Sequence, residues 1–176
     1  MPRHVSDTQQ AECRVGIISD THGLLRPEAI VALQGSDLII HAGDIGNEAV
    51  LVSLTGIAPV FAVRGNNDHG NWAEKIPGAR LVKAGENLLY VLHDLKELDE
   101  APAGDMWAAV IAGHSHRPLV QERQGVLFIN PGSAGPRRFR LPVTIARLNI
   151  RGRHLEATIV DLGPGGGDAS AKKAGG

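Results

Sequence analysis

Aromatic residues make up only 3% of this sequence, and there is a single cysteine, Cys13. With so few rings, the core must be built from Val, Ile, Leu and Ala, which supply most of the 43% apolar content. One cysteine cannot close an internal disulfide, which excludes a disulfide-stapled scaffold and fits a reducing cytoplasm. Cys13 itself, just ahead of the first expected strand, reads as a buried, inert thiol. Charge of one sign is missing as well: 18 Lys and Arg stand against 19 Asp and Glu, so no basic footprint for non-specific nucleic-acid binding is visible. No apolar run approaches the roughly 18 residues of a membrane span. The polar stretch from Met1 to Gln10 lacks the apolar centre of a secretory signal. These absences predict a cytoplasmic chain with no membrane partner.

What is present fits one domain, because 176 residues leave little room for two cores. We expect residues 14–162 to form it. Residues 1–13 are expected to be a flexible N-terminal segment. Residues 163–176, nearly all Gly, Ala, Ser and Lys, bury too little surface to offset ordering entropy and are expected to be a flexible tail.

Short β-branched runs alternate with helical segments in the first half. Strands are expected at Arg14–Ser19, Asp37–Ile40, Pro59–Val63, Asn87–Leu92 and Trp107–Ala112. Helices are expected at Pro27–Gln34 and at Asn47–Leu54, the second with Asn47 as N-cap and Gly56 as stop. A short helix fits Trp72–Lys75, and a helical turn fits Leu95–Glu100; elsewhere between His69 and Gly85 the signal is poor. The second half reads as hairpins, Leu119–Gln121 with Val126–Ile129 and Thr144–Ile150 with Leu155–Val160. The outline is an α/β fold of two packed sheets with helices outside.

In open α/β sheets, sites lie beyond the carboxyl ends of the strands. Five of the expected strand ends carry metal-type side chains: Asp20 and His22, Asp44, Asn66, His93, and His114 with His116. The His114/His116 spacing matters most. In extended or loop backbone, i and i+2 point the same way, whereas on a helix they diverge by about 200°. The pair is therefore expected to converge on one spot. Asp20, Asp44 or His93 alone would pass as an ordinary turn or edge residue, but seven such side chains at strand ends make coincidence a poor account. His41 and His69 are assigned supporting roles, and His4 and His154 solvent-exposed ones.

The set comprises four imidazoles, two carboxylates and one amide oxygen. It suits Mn, Fe, Co, Ni or Zn and lacks the all-oxygen character of Ca or Mg sites. Seven donors are too many for one catalytic ion with an open position and about right for two that share a carboxylate. Two divalent ions bring four positive charges, and two aspartates plus a hydroxide remove three. The pocket stays cationic and favours an anionic substrate such as a phosphate ester.

The motifs Asp20-Thr-His22, Gly43-Asp44, Gly65-Asn-Asn-Asp68, an isolated His93 and Gly113-His-Ser-His116 follow one another in this order. Together they resemble the calcineurin-like metallophosphoesterase family. The length and Asn130-Pro-Gly-Ser133 most resemble its small YfcE-type phosphodiesterases. The resemblance implies a four-layer α/β/β/α sandwich of two mixed sheets with a dinuclear site, manganese first among the candidate ions. It implies that Asp20, His22 and His116 hold one ion, that Asp44 bridges, and that Asn66, His93 and His114 hold the other. A hydroxide bridging the ions would attack a small phosphate ester, most often a diester. Phosphomonoesters and nucleotide pyrophosphates remain alternatives, and a homo-oligomer remains open. The family usually has a catalytic histidine where this chain has Asn67, and an amide cannot donate a proton as an imidazolium can. Asp68 would orient the loop, and Asp94 stands where many relatives have glycine. Arg137 and Arg138 are candidate phosphate contacts, with a solvated basic loop as the plainer reading. A different class of protein is represented by the metallophosphoesterase-fold subunit of vacuolar sorting complexes, a non-catalytic binding scaffold.

Overall fold

The computed structural model describes residues 11–99 and 106–163. The tail expected beyond Gly163 and the segment Met1 to Gln10 lie outside the described residues. Among the described residues, ten strands and three short helices follow in the order β1 (Glu12–Ile18), α1 (Pro27–Leu33), β2 (Leu38–His41), α2 (Glu48–Thr55), β3 (Val60–Ala62), α3 (Asn71–Glu74), β4 (Ala79–Ala84), β5 (Asn87–Leu92), β6 (Ala109–Ile111), β7 (Leu119–Arg123), β8 (Val126–Asn130), β9 (Thr144–Arg151) and β10 (His154–Asp161). A 3-10 turn, Leu95–Glu97, follows β5.

The strands form two mixed sheets, ordered β10-β9-β1-β2-β3 and β4-β5-β6-β8-β7. In the first, β1, β2 and β3 run parallel, with β9 and β10 antiparallel beyond β1. In the second, β5, β6 and β8 run parallel between antiparallel edges β4 and β7. Because strand side chains alternate between faces, Val15 and Ile17 of β1 meet Leu89 and Val91 of β5, Ile111 and Ile129 in one apolar layer between the sheets. Each such fully buried aliphatic side chain contributes roughly 1.5–3 kcal/mol gross. Ile18 and Ile39 face the other way and pack on Ala29 and Leu33 of α1 and Val50 and Leu54 of α2.

Local chemistry explains the helices. Proline opens α1. The Asn47 side chain caps α2 by accepting from Val50 N at 3.2 Å, and Gly56 follows its last turn. A Cβ on Gly16 would lie 2.6 Å from Leu33 Cδ2, so glycine there lets α1 rest directly on β1.

Two expectations need correction. The first strand begins at Glu12, inside the segment expected to be flexible, because Glu12 and Cys13 pair with Arg151 and Ile150 of β9. Cys13 is half-buried in that strand, and burial raises its thiol pKa. Second, the poor-signal region contains a full edge strand, β4. Its buried residues Val82 and Ala84 alternate with Leu81 and Lys83 facing solvent, the half-polar pattern of a protected edge. The architecture is the expected α/β/β/α sandwich, with outer layers of unequal depth: α1 and α2, with Trp72 of α3, pack on the first sheet, while among the described residues the second is covered by the 3-10 turn with Leu95, Leu98, Tyr90 and Trp107. Tyr90 and Trp107 stack there at 4.3 Å between ring centroids.

Candidate metal centre

The parallel strands β1, β2, β3, β5 and β6 end on one side of the sandwich, and every expected site residue lies in the turns just past them. Backbone pairing continues beyond the strands: Asp20 N donates to Gly43 O at 3.0 Å and His22 N to Asp44 O at 2.9 Å. The Asp68 carboxylate joins two further turns, accepting from Gly46 N at 2.9 Å and Gly65 N at 2.8 Å. Ser133 Oγ donates to Asp20 O, and Asn130 Nδ2 donates to Gly113 O. The Asn-Pro-Gly-Ser element thus ties the end of β8 to both the β1 and β6 turns.

These turns are tight. Asp20, His22, Asp44, His114 and His116 all have positive φ, between 46° and 65°. Non-glycine residues enter this left-handed region at about 1–2 kcal/mol each. Two glycines make the approach possible: a Cβ on Gly65 would lie 2.2 Å from Asp44 Oδ1, and one on Gly113 2.0 Å from Ser19 Oγ.

At the centre are two buried carboxylates. Asp20 Oδ2 accepts from Ser19 Oγ at 2.7 Å and from His114 N at 3.1 Å. Its Oδ1 points at His116 Nε2, 3.2 Å away, and lies 4.0 Å from His93 Nε2. Asp44 accepts from Asn67 N at 2.9 Å and Asn67 Nδ2 at 2.7 Å. Its Oδ2 is 3.4 Å from His93 Nε2 and 3.8 Å from His22 Nε2. His93 Nδ1–H donates to Ala42 O at 2.7 Å, which turns Nε2 inward.

His114 stands apart. Its Nδ1–H donates to Asn66 Oδ1 at 3.1 Å, its Nε2 lies 3.7 Å from Asp94 Oδ2, and its ring meets that of His93 edge-on at 5.2 Å. His114 and His116 therefore do not converge on one spot. With both residues in left-handed backbone, the extended-chain argument does not apply; His116 joins Asp20 and His22, and His114 joins Asn66 and Asp94. Asn66, Asn67 and His114 form an exposed rim, whereas Asp20, His22, Asp44, His93 and His116 form the interior.

Sequence reasoning missed several supporting groups. Ser19 orients Asp20, and Asp94 faces His114. His41, assigned only a supporting role, is fully buried between the first two turns. Gly43 N–H donates to its Nδ1 at 3.2 Å, so the proton is on Nε2, which donates to Thr21 Oγ1 at 2.9 Å; Thr21 in turn donates to Ile45 O. Burial keeps this ring neutral, with its pKa pushed down to about 4 despite nearby aspartates. His69 is exposed.

Electrostatics set the interior apart. Burial works against charge on His93, but Asp44 and the Ala42 carbonyl outweigh it and hold the imidazole up to about 9. Burial also works against the Asp44 carboxylate, yet His93 and the two Asn67 donors carry its pKa well below the usual range. His22 is pushed down, first by burial and further by Arg138 and His116. Arg137 and Arg138 both lie on an exposed loop.

The residues fit a metal on an observation independent of motif. Asp20 Oδ1, His22 Nε2 and His93 Nε2 are buried without a hydrogen bond of good geometry, Asp20 Oδ1 having only the ion-pair contact to His116 and His93 Nε2 the one to Asp44. An unsatisfied buried polar atom costs about 1–3 kcal/mol; Asp20 Oδ1 lies 4.0 Å from His93 Nε2, and His22 Nε2 and His93 Nε2 both approach Asp44 Oδ2. Two groups have donor atoms within 4.8 Å of each other: Asp20, His22 and His116, and Asp20, Asp44 and His93. Asp20 is common to both groups, whereas the family pattern implied a single bridge at Asp44. Asp44 Oδ2, lying between His22 and His93, is also placed to be shared.

Comparison with known proteins agrees with the fold. A model of the calcineurin-like phosphoesterase superfamily domain matches residues 13–153, and the chain belongs to this metal-dependent family. It is 32% identical over 165 residues to a probable metallophosphoesterase of Methanothermobacter thermautotrophicus, covering 85% of this chain and 92% of the relative. Among solved structures, an archaeal phosphodiesterase superimposes with a TM-score of 0.70 at 25% identity, covering 83% of this chain and 99% of that one. Vacuolar protein sorting 29 of Cryptosporidium parvum superimposes with a TM-score of 0.75 at 20% identity, over 92% and 99% of the two chains, a likeness of fold alone. No helix among the described residues is long and apolar enough to cross a membrane.

Proposed function

We propose that this protein is a metal-dependent phosphodiesterase that holds two divalent ions, manganese first among them, and acts on a small phosphate ester. The observation that carries the reading is the set of three buried donors without a hydrogen bond of good geometry, Asp20 Oδ1, His22 Nε2 and His93 Nε2. Groups so costly to bury are retained where a ligand satisfies them. Asp20, His22 and His116 would hold one ion, and Asp44, His93, His114 and Asn66 the other, with Asp20 or Asp44 shared. When bound, such ions supply Lewis acidity toward phosphoryl oxygens and a water acidified near neutral pH.

The protein's own groups do the rest. Ser19 and the His114 amide fix the Asp20 carboxylate so that one oxygen stays free. Ala42 fixes the His93 tautomer, leaving Nε2 as a donor to metal. Asn67 holds Asp44 through two hydrogen bonds and offers no ionisable proton. A leaving group must therefore depart with little acid assistance, which favours esters with good leaving groups. The single cysteine and the absence of a spanning helix among the described residues support a cytoplasmic setting.

Hydrolysis of bis-p-nitrophenyl phosphate with added Mn, lost on chelation and in Asp44→Asn, is the test. A metal-loaded sample that cleaves no diester or monoester would overturn the reading. The scaffold reading has the fold likeness to the vacuolar sorting protein on its side, and a scaffold could use the same donors to hold a metal. Turnover separates the two: hydrolysis of a diester or monoester by the Mn-loaded chain supports the enzyme, and metal binding without turnover supports the scaffold.

A further inference from the structure

A cavity of about 770 Å³ opens beside the candidate metal centre, on the thinly covered outer face of the second sheet. Its walls are mainly apolar, with Val110, Ala112 and Phe128 behind and Leu95 and Leu119 at the sides. His114 and Asp94 form its border with the centre, and their side chains approach to 3.7 Å. Lys96 and Arg117 line it as well. Among the described residues, this face carries a 3-10 turn of three residues, whereas α1 and α2 pack on the first sheet.

We infer that this cavity is the subsite for the organic body of the substrate, and that it selects phosphoesters carrying an aryl-sized apolar group over those carrying a small alkyl group. The inference rests on the phosphoesterase reading of the adjoining centre. Three observations support it. The cavity shares His114 with the centre, so it is within reach of the substituent of a molecule whose phosphoryl group sits among the donors. The volume lies inside the roughly 300–1,000 Å³ typical of small-molecule sites. Apolar walls with two cations match an anionic ligand with an apolar body, and the one acidic side chain of the lining, Asp94, already faces His114.

The test compares binding of phenylphosphonate and methylphosphonate, which are not hydrolysed, to the Mn-loaded full chain by calorimetry. Phenylphosphonate is expected to bind at least about tenfold more tightly, the discrimination a hydrophobic pocket gives for added carbon. Leu119→Glu, at a partly exposed site on an edge strand, and Ala112→Phe, which fills the cavity, are each expected to remove most of that preference. Val52→Glu, on the exposed face of α2, is expected to leave the ratio as it is. Equal binding of the two phosphonates, no binding of either, or a preference indifferent to both cavity variants would overturn the inference. A phenyl preference that the cavity variants abolish, in a protein that hydrolyses no ester, would uphold the cavity and sink the catalytic reading instead.

Discussion

The site has two halves built to different standards. In the interior, Asp20 and Asp44 are almost fully buried, and each is pinned by two hydrogen bonds. On the rim, the His114 side chain is 41% exposed and is held by one hydrogen bond to an exposed asparagine. The contrast suggests a division of labour. An over-determined interior fixes donor positions before any ion arrives, at the cost of unsatisfied atoms. The more exposed His114 side of the rim, bordered by the cavity, would leave freedom where substrates differ. Pre-organisation of this kind raises affinity by lowering what must be ordered on binding.

The largest effect is expected from the interior. Asp44→Asn should lower Mn-dependent diester hydrolysis by about a thousandfold or more, the scale on which metal chemistry contributes. It should also shrink the rise in melting temperature that Mn gives the parent protein; an unchanged rise would break the comparison at its root. Gly65→Ala tests the packing beneath it, because the added methyl overlaps the Asp44 carboxylate. It should weaken Mn binding about 10- to 100-fold, the range seen when groups that orient ligands are lost, as read by metal titration.

Next in size is a pH effect through His41. Its folded pKa, about 4, lies below the ordinary value of 6.5, so the unfolded chain takes up the proton first. The stability associated with the neutral ring is complete above pH 6.5 and falls as pH drops toward 4, by about 3 kcal/mol in all. Denaturant unfolding at pH 7 and pH 4.5 should show His41→Gln losing much less stability between the two than the parent; equal losses would remove His41 from the account. On the rim, Asn67→His should help alkyl esters more than nitrophenyl esters, by about tenfold, at the low end of what a positioned proton donor gives. The smallest change is expected from Asp94→Asn: hydrolysis altered by only about two- to threefold, as for a polar contact partly open to water. A loss as large as that of Asp44→Asn would erase the distinction between the halves.

Much of this was legible in the chain. Strand ends carrying Asp, Asn and His pointed to the candidate centre, because each β-run is short, apolar and cut off by glycine or a polar turn. Asn47 announced the start of α2 and Pro27 that of α1. Three things were not legible. The edge strand β4 buries only Val82 and Ala84, so its alternation is too faint to separate from a loop. The split between His114 and His116 depends on left-handed backbone that their spacing does not encode. Asn67 was noted for the histidine it replaces, but nothing in its neighbourhood announced that both its donors reach back 23 residues to Asp44. Asp94 was visible only as a departure from the family's glycine, and its closeness to His114 emerges where β5 and β6 lie side by side.

The positive φ angles of Asp20, His22, Asp44, His114 and His116 put folding and chemistry in opposition at single positions. Glycine at any of them would relax the main chain and erase a donor. A library of variants at these positions, sorted only for thermal robustness without metal, should drift toward glycine or asparagine. The same library sorted for turnover should hold the parental residues. These turns would then mark a boundary along which selection for durability and selection for catalysis pull the sequence apart.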